Sequence, residues 1–336
     1  MAVIKRWLLR LVALCAAMAI AAATWLVLYA QSELEPARLP LQFDLKAGSS
    51  LKSATQQMVD AGVLDDPLRF VILARLLGQA ARIKAGNYEI ESPITRYGLL
   101  QKITQGDYTQ VVITVVEGWT FRQLRKALDE NPAIRHDTAG LSDADILRRL
   151  EIDQASPEGW FFPDTYHFSS GTSDLSILRR AHRLMLSHLE LQWQRRTENL
   201  PLKSPYEALI LASIIEKETG RAGERPLIAS VFINRLRNGM RLQTDPTVIY
   251  GMGERFDGNI RKADLTTDTP YNTYTRDGLP PTPIASPGIA SLSAALNPAP
   301  SKFLYFVAKG DGSSHFSGSL EEHNRAVTKY QKSGRR

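Results

Sequence analysis

One cysteine, Cys15, stands in 336 residues, so no disulfide can form within the chain and no cysteine cluster can hold a metal. The six histidines (His136, His167, His182, His188, His315 and His323) include no i,i+4 pair and no HExxH, the arrangement a helical zinc site needs. No phosphate-binding P-loop, dinucleotide glycine fingerprint or GxSxG nucleophile elbow occurs. Ser49-Ser-Leu-Lys52 matches SxxK, but no SDN or KTG follows, and Ser49 reads as a helix cap after Gly48. Internal repeats and low-complexity tracts are missing as well. Neither a metal nor an organic cofactor is expected. The net charge of +6 is also less than it looks: residues 1–30 hold three of the 41 basic residues and none of the 35 acidic ones, so the remainder carries only +3. That balance describes an ordinary solvated surface and excludes a nucleic-acid footprint.

What is present begins with a membrane signal. Leu11 to Ala30 is a run of 20 residues without a charge, long enough as a helix to cross a bilayer core of about 30 Å. Lys5, Arg6 and Arg10 precede it, and Glu33 and Glu35 follow it, which orients the N-terminus to the cytoplasm and the rest outside. The run is too long for a cleaved signal peptide and no small-x-small site closes it, so an uncleaved anchor is expected. The expected organisation is a cytoplasmic N-terminus (1–10), a transmembrane helix (11–30), a proline-containing stalk (31–40), a small α+β subdomain (41–110) and a larger α+β domain (111–336). Strands are expected at Leu41–Leu45, Asn87–Ile90 and Val111–Val116, with a buried one at Phe303–Ala308. Helices are expected over 49–61, 67–77, 99–103, 120–128, 144–150, 177–196 and 225–237. Glu158-Gly-Trp-Phe-Phe-Pro-Asp164 fits no period and reads as a structured loop, either plugging the core or facing a ligand.

The chemistry is carried by Ser204 to Gly220. Ser204 is a good N-cap, Pro205 fits the first helical position, Glu207 completes a capping box, and Gly220 stands as a C-terminal stop. Between Ala208 and Ile215 only Ser213 is polar, so the helix should be buried on most sides. It ends on Glu216 and Glu218. Burial and the negative pole of the helix dipole both disfavour a charged carboxylate there, which is how an acid keeps its proton near neutral pH. At about 100° per residue the two glutamates point roughly 200° apart. Glu218 continues the more apolar face, above Ile215, Ile214 and Leu211, and is the candidate acid. Glu216 reads as structural. Two further segments, Gln243-Thr-Asp-Pro-Thr-Val-Ile-Tyr250 and Thr269-Pro-Tyr-Asn-Thr-Tyr274, read as loops carrying the amide, hydroxyl and aromatic groups that sugars bind. Gly278 to Pro298 reads as a proline-fixed wall.

Ala212-Ser-Ile-Ile-Glu-Lys-Glu-Thr219, Ala229 to Leu236, Met240 to Gly251, Tyr271-Asn-Thr-Tyr274 and Gly278-Leu-Pro-Pro281 together resemble the MltG/YceG-like endolytic murein transglycosylases. The resemblance covers nearly the whole chain. It implies a LysM-like first subdomain and a catalytic domain whose acid stands at Glu218. Its implied substrate is the peptidoglycan glycan strand, cut between N-acetylmuramic acid and N-acetylglucosamine to leave 1,6-anhydro ends. It also implies a single-pass protein of the bacterial inner membrane, a periplasmic catalytic domain and peptidoglycan synthases as further partners. Gln243, Thr244, Asp245, Tyr250, Tyr271, Asn272 and Tyr274 are expected to line the sugar site. Two rivals stay open: a lysozyme-type hydrolase using Glu218 and Asp245, and a non-catalytic glycan-binding or synthase-scaffolding protein.

Overall fold

A computed structural model describes residues 2–34, 36, 39–46, 48–106 and 111–332. Glu35, Ala37 and Arg38 of the expected stalk, and residues 107–110 at the expected subdomain boundary, lie outside them. The chain falls into two compact units, Met1–Val111 with His167–Gly171, and Val112–Tyr166 with Thr172–Arg336.

In the first unit, helix α1 (Ala2–Gln31) includes Arg10–Gln31, a segment long and apolar enough to cross a membrane. Strand β1 (Leu41–Leu45), helices α2 (Leu51–Asp60) and α3 (Pro67–Leu76), strand β2 (Gly86–Ile90) and helix α4 (Arg96–Gln105) follow. β1 and β2 pair antiparallel, Leu41 opposite Ile90 and Leu45 opposite Gly86. Alternation along β1 sends Leu41, Phe43 and Leu45 inward, where Phe43 stacks on Tyr88 at 5.4 Å. The cap of α2 is Ser50 and not Ser49: its hydroxyl accepts from Ser53 N at 3.2 Å, while Ser49 Oγ accepts from the Gln57 amide. Arg96 closes the unit. It donates to Ser32 and grips both oxygens of Asp65, and its guanidinium lies over the Tyr29 ring at 5.0 Å.

Next along the chain come β3 (Val111–Thr114), α5 (Phe121–Asp129), β4 (Ile134–Arg135), α6 (Asp143–Leu150), β5 (Thr165–Phe168), β6 (Thr172–Ser173), α7 (Asp174–Gln194), α8 (Pro205–Glu218), α9 (Arg225–Arg237), α10 (Asp245–Met252), α11 (Lys262–Thr266), α12 (Ile289–Leu296), β7 (Tyr305–Ala308), β8 (Ser314–Ser317) and α13 (Leu320–Val327), which apart from the outer ends of β3 and β5 belong to the larger unit. β3 pairs with β5, β4 runs parallel to β6, and β7 and β8 form an antiparallel hairpin. The middle of this unit is α8. Every residue from Ala208 to Ile215 is buried, and α7, α9 and α12 pack around it. Its lone polar core residue is satisfied: Ser213 Oγ donates to Ile210 O at 2.7 Å and accepts from Ile284 N at 3.0 Å.

Four local expectations change. Asp245 to Tyr250 is the start of a helix, because Pro246 suits a first turn as well as a loop. The proline-rich wall contains α12, a helix of small and apolar residues with no polar face to betray a period. The strand at 303–308 begins at Tyr305 and is half-buried. α8 ends one residue before the expected stop, since Thr219 is already extended (φ −145°, ψ 133°) and Gly220 makes no cap.

The loop at 158–164 is core. Trp160, Phe161 and Phe162 are all buried, and Trp160 stacks flat on Tyr206 at 5.4 Å. Gly159 makes this possible: its φ is +80°, and a Cβ there would stand 2.5 Å from Pro283 Cβ. Gly159→Ala is therefore expected to destabilise the protein by about 2–4 kcal/mol, combining left-handed strain and overpacking. A denaturation midpoint unchanged from wild type would refute this packing argument.

Candidate active site

Helix rotation separates the two glutamates at the end of α8. Glu216 turns into the protein, where Oε1 accepts from Arg225 Nη2 at 3.0 Å and Oε2 accepts from Gly288 N at 2.9 Å. Its side chain is 5 % exposed and that of Arg225 10 %, so this ion pair is a buried structural tie between α8, α9 and the start of α12. Lys217, between the glutamates, donates to Gly118 O at 3.2 Å.

Glu218 turns the other way, into a cleft of about 520 Å³. The end of α8 lines it, with Phe232 and Arg235 of α9 and with Leu242, Gln243, Asp245 and Tyr274. The β7 strand, α13 through Leu320, His323, Asn324 and Val327, and Gln331 line the rest. Glu218 keeps some exposure, so the cleft can reach it, yet the protein packed around its carboxyl raises its pKa from 4.5 to about 7. Burial is the largest cause. Thr244 Oγ1 donates to Glu218 Oε1 and opposes that rise by favouring the charged form, Asp245 adds to the rise through like charge, and Arg235 opposes it.

The segment that delivers Thr244 is held from several directions. Gln243 has φ +50°, an uncommon conformation for a residue with a side chain. It is kept by Gln243 N donating to Thr273 O at 3.1 Å and by Thr244 N donating to Thr273 Oγ1 at 3.1 Å. Arg235 clamps the same segment, with Nη1 donating to Leu242 O at 2.7 Å and to Arg241 O at 3.2 Å. Tyr274 Oη donates to Asp245 Oδ1 at 2.6 Å.

Of the expected sugar-site residues, Gln243, Asp245 and Tyr274 therefore share the cleft with Glu218, and Thr244 stands behind the acid. The other three are elsewhere. Asn272 is fully buried, its amide donating to the carbonyls of Asp264, Leu265 and Thr267. Tyr250 donates to Glu158 Oε2 at 3.0 Å and meets the Tyr271 ring edge-on at 4.8 Å, while Tyr271 pairs with Thr282. Polar and aromatic alternation marked these residues without separating a binding surface from a satisfied interior.

With this geometry in place, comparison with known proteins is decisive: a model of the YceG-like family matches residues 43–329. The chain belongs to the YceG-like family. It is similar to a Bacillus subtilis protein named endolytic murein transglycosylase, 33 % identical over 90 % of this chain and 89 % of that one. A Streptococcus pneumoniae protein of the same name is 27 % identical over 84 % of this chain, which spans 57 % of that longer relative. The crystal structure of a YceG-like protein from Listeria monocytogenes aligns with a TM-score of 0.53 at 30 % identity, over 85 % of this chain and 98 % of that one.

Two groups in this YceG-like chain escaped the sequence reading. Arg235 lies within a motif quoted for its resemblance, but helical spacing picked only its apolar neighbours. Glu158 is a second carboxyl whose pKa burial lifts to about 7; it accepts from Phe121 N at 2.9 Å and from Tyr250 Oη. For Arg235 the available signal was a charge at an otherwise inward-facing helical position; Glu158, in a segment without a period, carried none.

The raised pKa of Glu218 sets a pH dependence of stability. The native state holds this proton more tightly than the unfolded chain. The resulting stabilisation is full below pH 4.5 and is lost as pH rises through about 7. Glu218→Gln, which cannot ionise, is expected to be more stable than wild type at pH 8 by about 1–2 kcal/mol and to lose that advantage at pH 4. Thermal melts of both proteins across this range test it, and parallel curves would exclude a perturbed Glu218.

Proposed function

We propose that this protein is a membrane-anchored endolytic lytic transglycosylase that cuts peptidoglycan glycan strands between N-acetylmuramic acid and N-acetylglucosamine, with Glu218 as acid and then base. The observation that carries the reading is a single proton-holding carboxyl in a cleft of about 520 Å³, in a chain whose relatives bear the name endolytic murein transglycosylase. Hydrolysis of a glycoside ordinarily needs two carboxyl groups, one of which activates water or attacks the sugar. Transglycosylation within the muramyl residue needs one. Protonated Glu218 gives its proton to the glycosidic oxygen as the bond to C1 breaks. The resulting carboxylate takes the proton of the muramyl C6 hydroxyl, whose oxygen bonds to C1 and closes the 1,6-anhydro ring. The proton count on Glu218 is restored, and no water is consumed. A pKa near 7 suits both halves of this exchange.

We assign Gln243, Asp245 and Tyr274 to contact with the sugar, Thr244 to tuning Glu218, and Tyr250, Tyr271 and Asn272 to support of the surrounding loops. Residues 11–30 are proposed as a single inner-membrane anchor that holds a periplasmic catalytic domain (111–336) near nascent strands and their synthases. The segment 41–110 is proposed as a LysM-like subdomain, supported by the order β1–α2–α3–β2 around its own core. Asp245 lines the same cleft, so a lysozyme-type hydrolase is the rival that products must decide.

Mass analysis of digested uncrosslinked strands is expected to give 1,6-anhydro-muramyl ends with wild type and no new ends with Glu218→Gln. Reducing muramyl ends would establish the hydrolase instead, and full cutting by the variant would remove Glu218 from the reaction. The pH profile gives a second test. The high-pH fall in kcat/KM, set by loss of the Glu218 proton, is expected near pH 7 in wild type. Thr244→Val removes the hydroxyl that favours the charged acid and is expected to move that fall upward by about half a unit to one unit. A downward move would contradict the role given to Thr244.

A further inference from the structure

Arg235 is a charge without a counter-charge. The residue is 8 % exposed, and among the described residues its guanidinium makes no ion pair. Nε donates to Leu304 O at 2.7 Å, and Nη1 donates to Leu242 O and Arg241 O, with Gln243 Oε1 at 3.4 Å. The Tyr305 ring lies 5.1 Å from its central carbon, and that ring stacks in turn on His323. A guanidinium held along two edges and across one face has a fixed orientation. Its remaining nitrogen, Nη2, has no acceptor among the described residues, and it is not among the polar atoms sealed from solvent. The open space that Arg235 borders is the cleft of Glu218.

A desolvated cation with neutral partners is unfavourable unless an anion or strong acceptor meets it in the working state. Glu218 is the nearby carboxyl acting on it through space, but that acid is held largely protonated below pH 7. The cleft residues from α13 onward supply no counter-charge: burial and then Arg235 itself lower the His323 pKa, and Leu320, Asn324, Val327 and Gln331 are uncharged. Among the described residues Asp245 makes no ion pair with Arg235, and Asp245 Oδ1 accepts from the Tyr274 hydroxyl.

We propose that Arg235 is a substrate-binding residue whose Nη2 donates to the carboxyl-derived oxygen of the lactyl group on the muramyl sugar beside Glu218. The inference rests on the reading of the cleft as a muramyl site. It deepens that reading by naming the substituent that tells a muramyl residue from N-acetylglucosamine, which has no lactyl group. In peptide-free strands the oxygen belongs to a carboxylate and the contact is an ion pair. In peptide-bearing strands it is an amide carbonyl and the contact is a charge-assisted hydrogen bond. By the same contact Arg235 would fix which of the two sugars presents its C1 to the acid.

Binding to the full chain in a Glu218→Gln background, which separates recognition from cutting, tests this by calorimetry with three ligands: peptide-free strands, peptide-bearing strands and a chitooligosaccharide. Adding Arg235→Lys is expected to weaken peptide-free strands by about tenfold and peptide-bearing strands by about threefold, leaving the chitooligosaccharide within about twofold. An equal loss for all three ligands, or no loss for the muramyl strands, overturns the proposal. If Arg235→Lys does not fold, the guanidinium nitrogen resonances of Arg235 in the Glu218→Gln protein decide it. They should shift on saturation with muramyl strands and stay in place with chitooligosaccharide; no shift with either overturns the assignment. These are binding measurements, so an absence of anhydro products from wild type would overturn the transglycosylase reading while leaving this contact separately judged.

Discussion

The constraint on which the site depends is the burial of α8. A helix whose residues from Ala208 to Ile215 are all excluded from water has no solvated face along which its last turn can fray. Its final carboxyl therefore stays where the protein is dense, and desolvation becomes the largest influence on Glu218. Packing of α7, α9 and α12 around α8 is thus an electrostatic device as well as a stability device. The same apolar contacts that hold the fold together set the proton affinity of the acid.

Position within one helical turn then divides the work. Glu216 and Glu218 are two residues apart and so diverge by more than half a circle. One is neutralised by Arg225 and capped by Gly288 N, which fixes the start of α12 against the end of α8. The other reaches the cleft. The backbone at Gly288 also lies against a second carboxyl, that of Glu117, which a Cβ at Gly288 would strike. The site is thereby pinned on its structural side and open on its chemical side.

How much of this was legible follows from how each residue announces itself. Elements with one solvated face, such as α5 and β1, declare their period, and their bounds were read to within one or two residues. The apolar run and the capping of α8 were equally plain, and rotation alone separated Glu218 from Glu216. α12 was hidden because its residues are all small or apolar, even at the exposed Ile289 and Ala290, so no polar face marks a period. α13 went unread although Ser319, with Glu322 three residues on, carries a helix-start signal. Gln243, Asp245 and Tyr274, selected by residue type, line the candidate cleft. The same criterion also selected Asn272, whose amide is spent on three backbone carbonyls. Side-chain chemistry names what a residue can bind, whereas the fold decides whether a ligand or the protein's own backbone is there to be bound.

Glu158 sharpens the point about what makes a catalytic acid. Burial lifts it to about 7, the same value as Glu218, and its neighbours are also hydroxyl and backbone donors. Proton affinity therefore does not distinguish the two. Glu158 is sealed between the first turn of α5 and the Tyr250 hydroxyl, both of its oxygens are occupied, and it borders no part of the cleft. Glu218 has one oxygen bonded to Thr244 and keeps an exposed path to the cleft beside a fixed cation. A carboxyl that holds its proton at neutral pH is a structural pin when both of its oxygens are engaged from within. It is available as an acid when one oxygen is left for a ligand. Access, set by where α8 stops and by the extended backbone of Thr219 that follows, is what separates two carboxyls under the same physical perturbation.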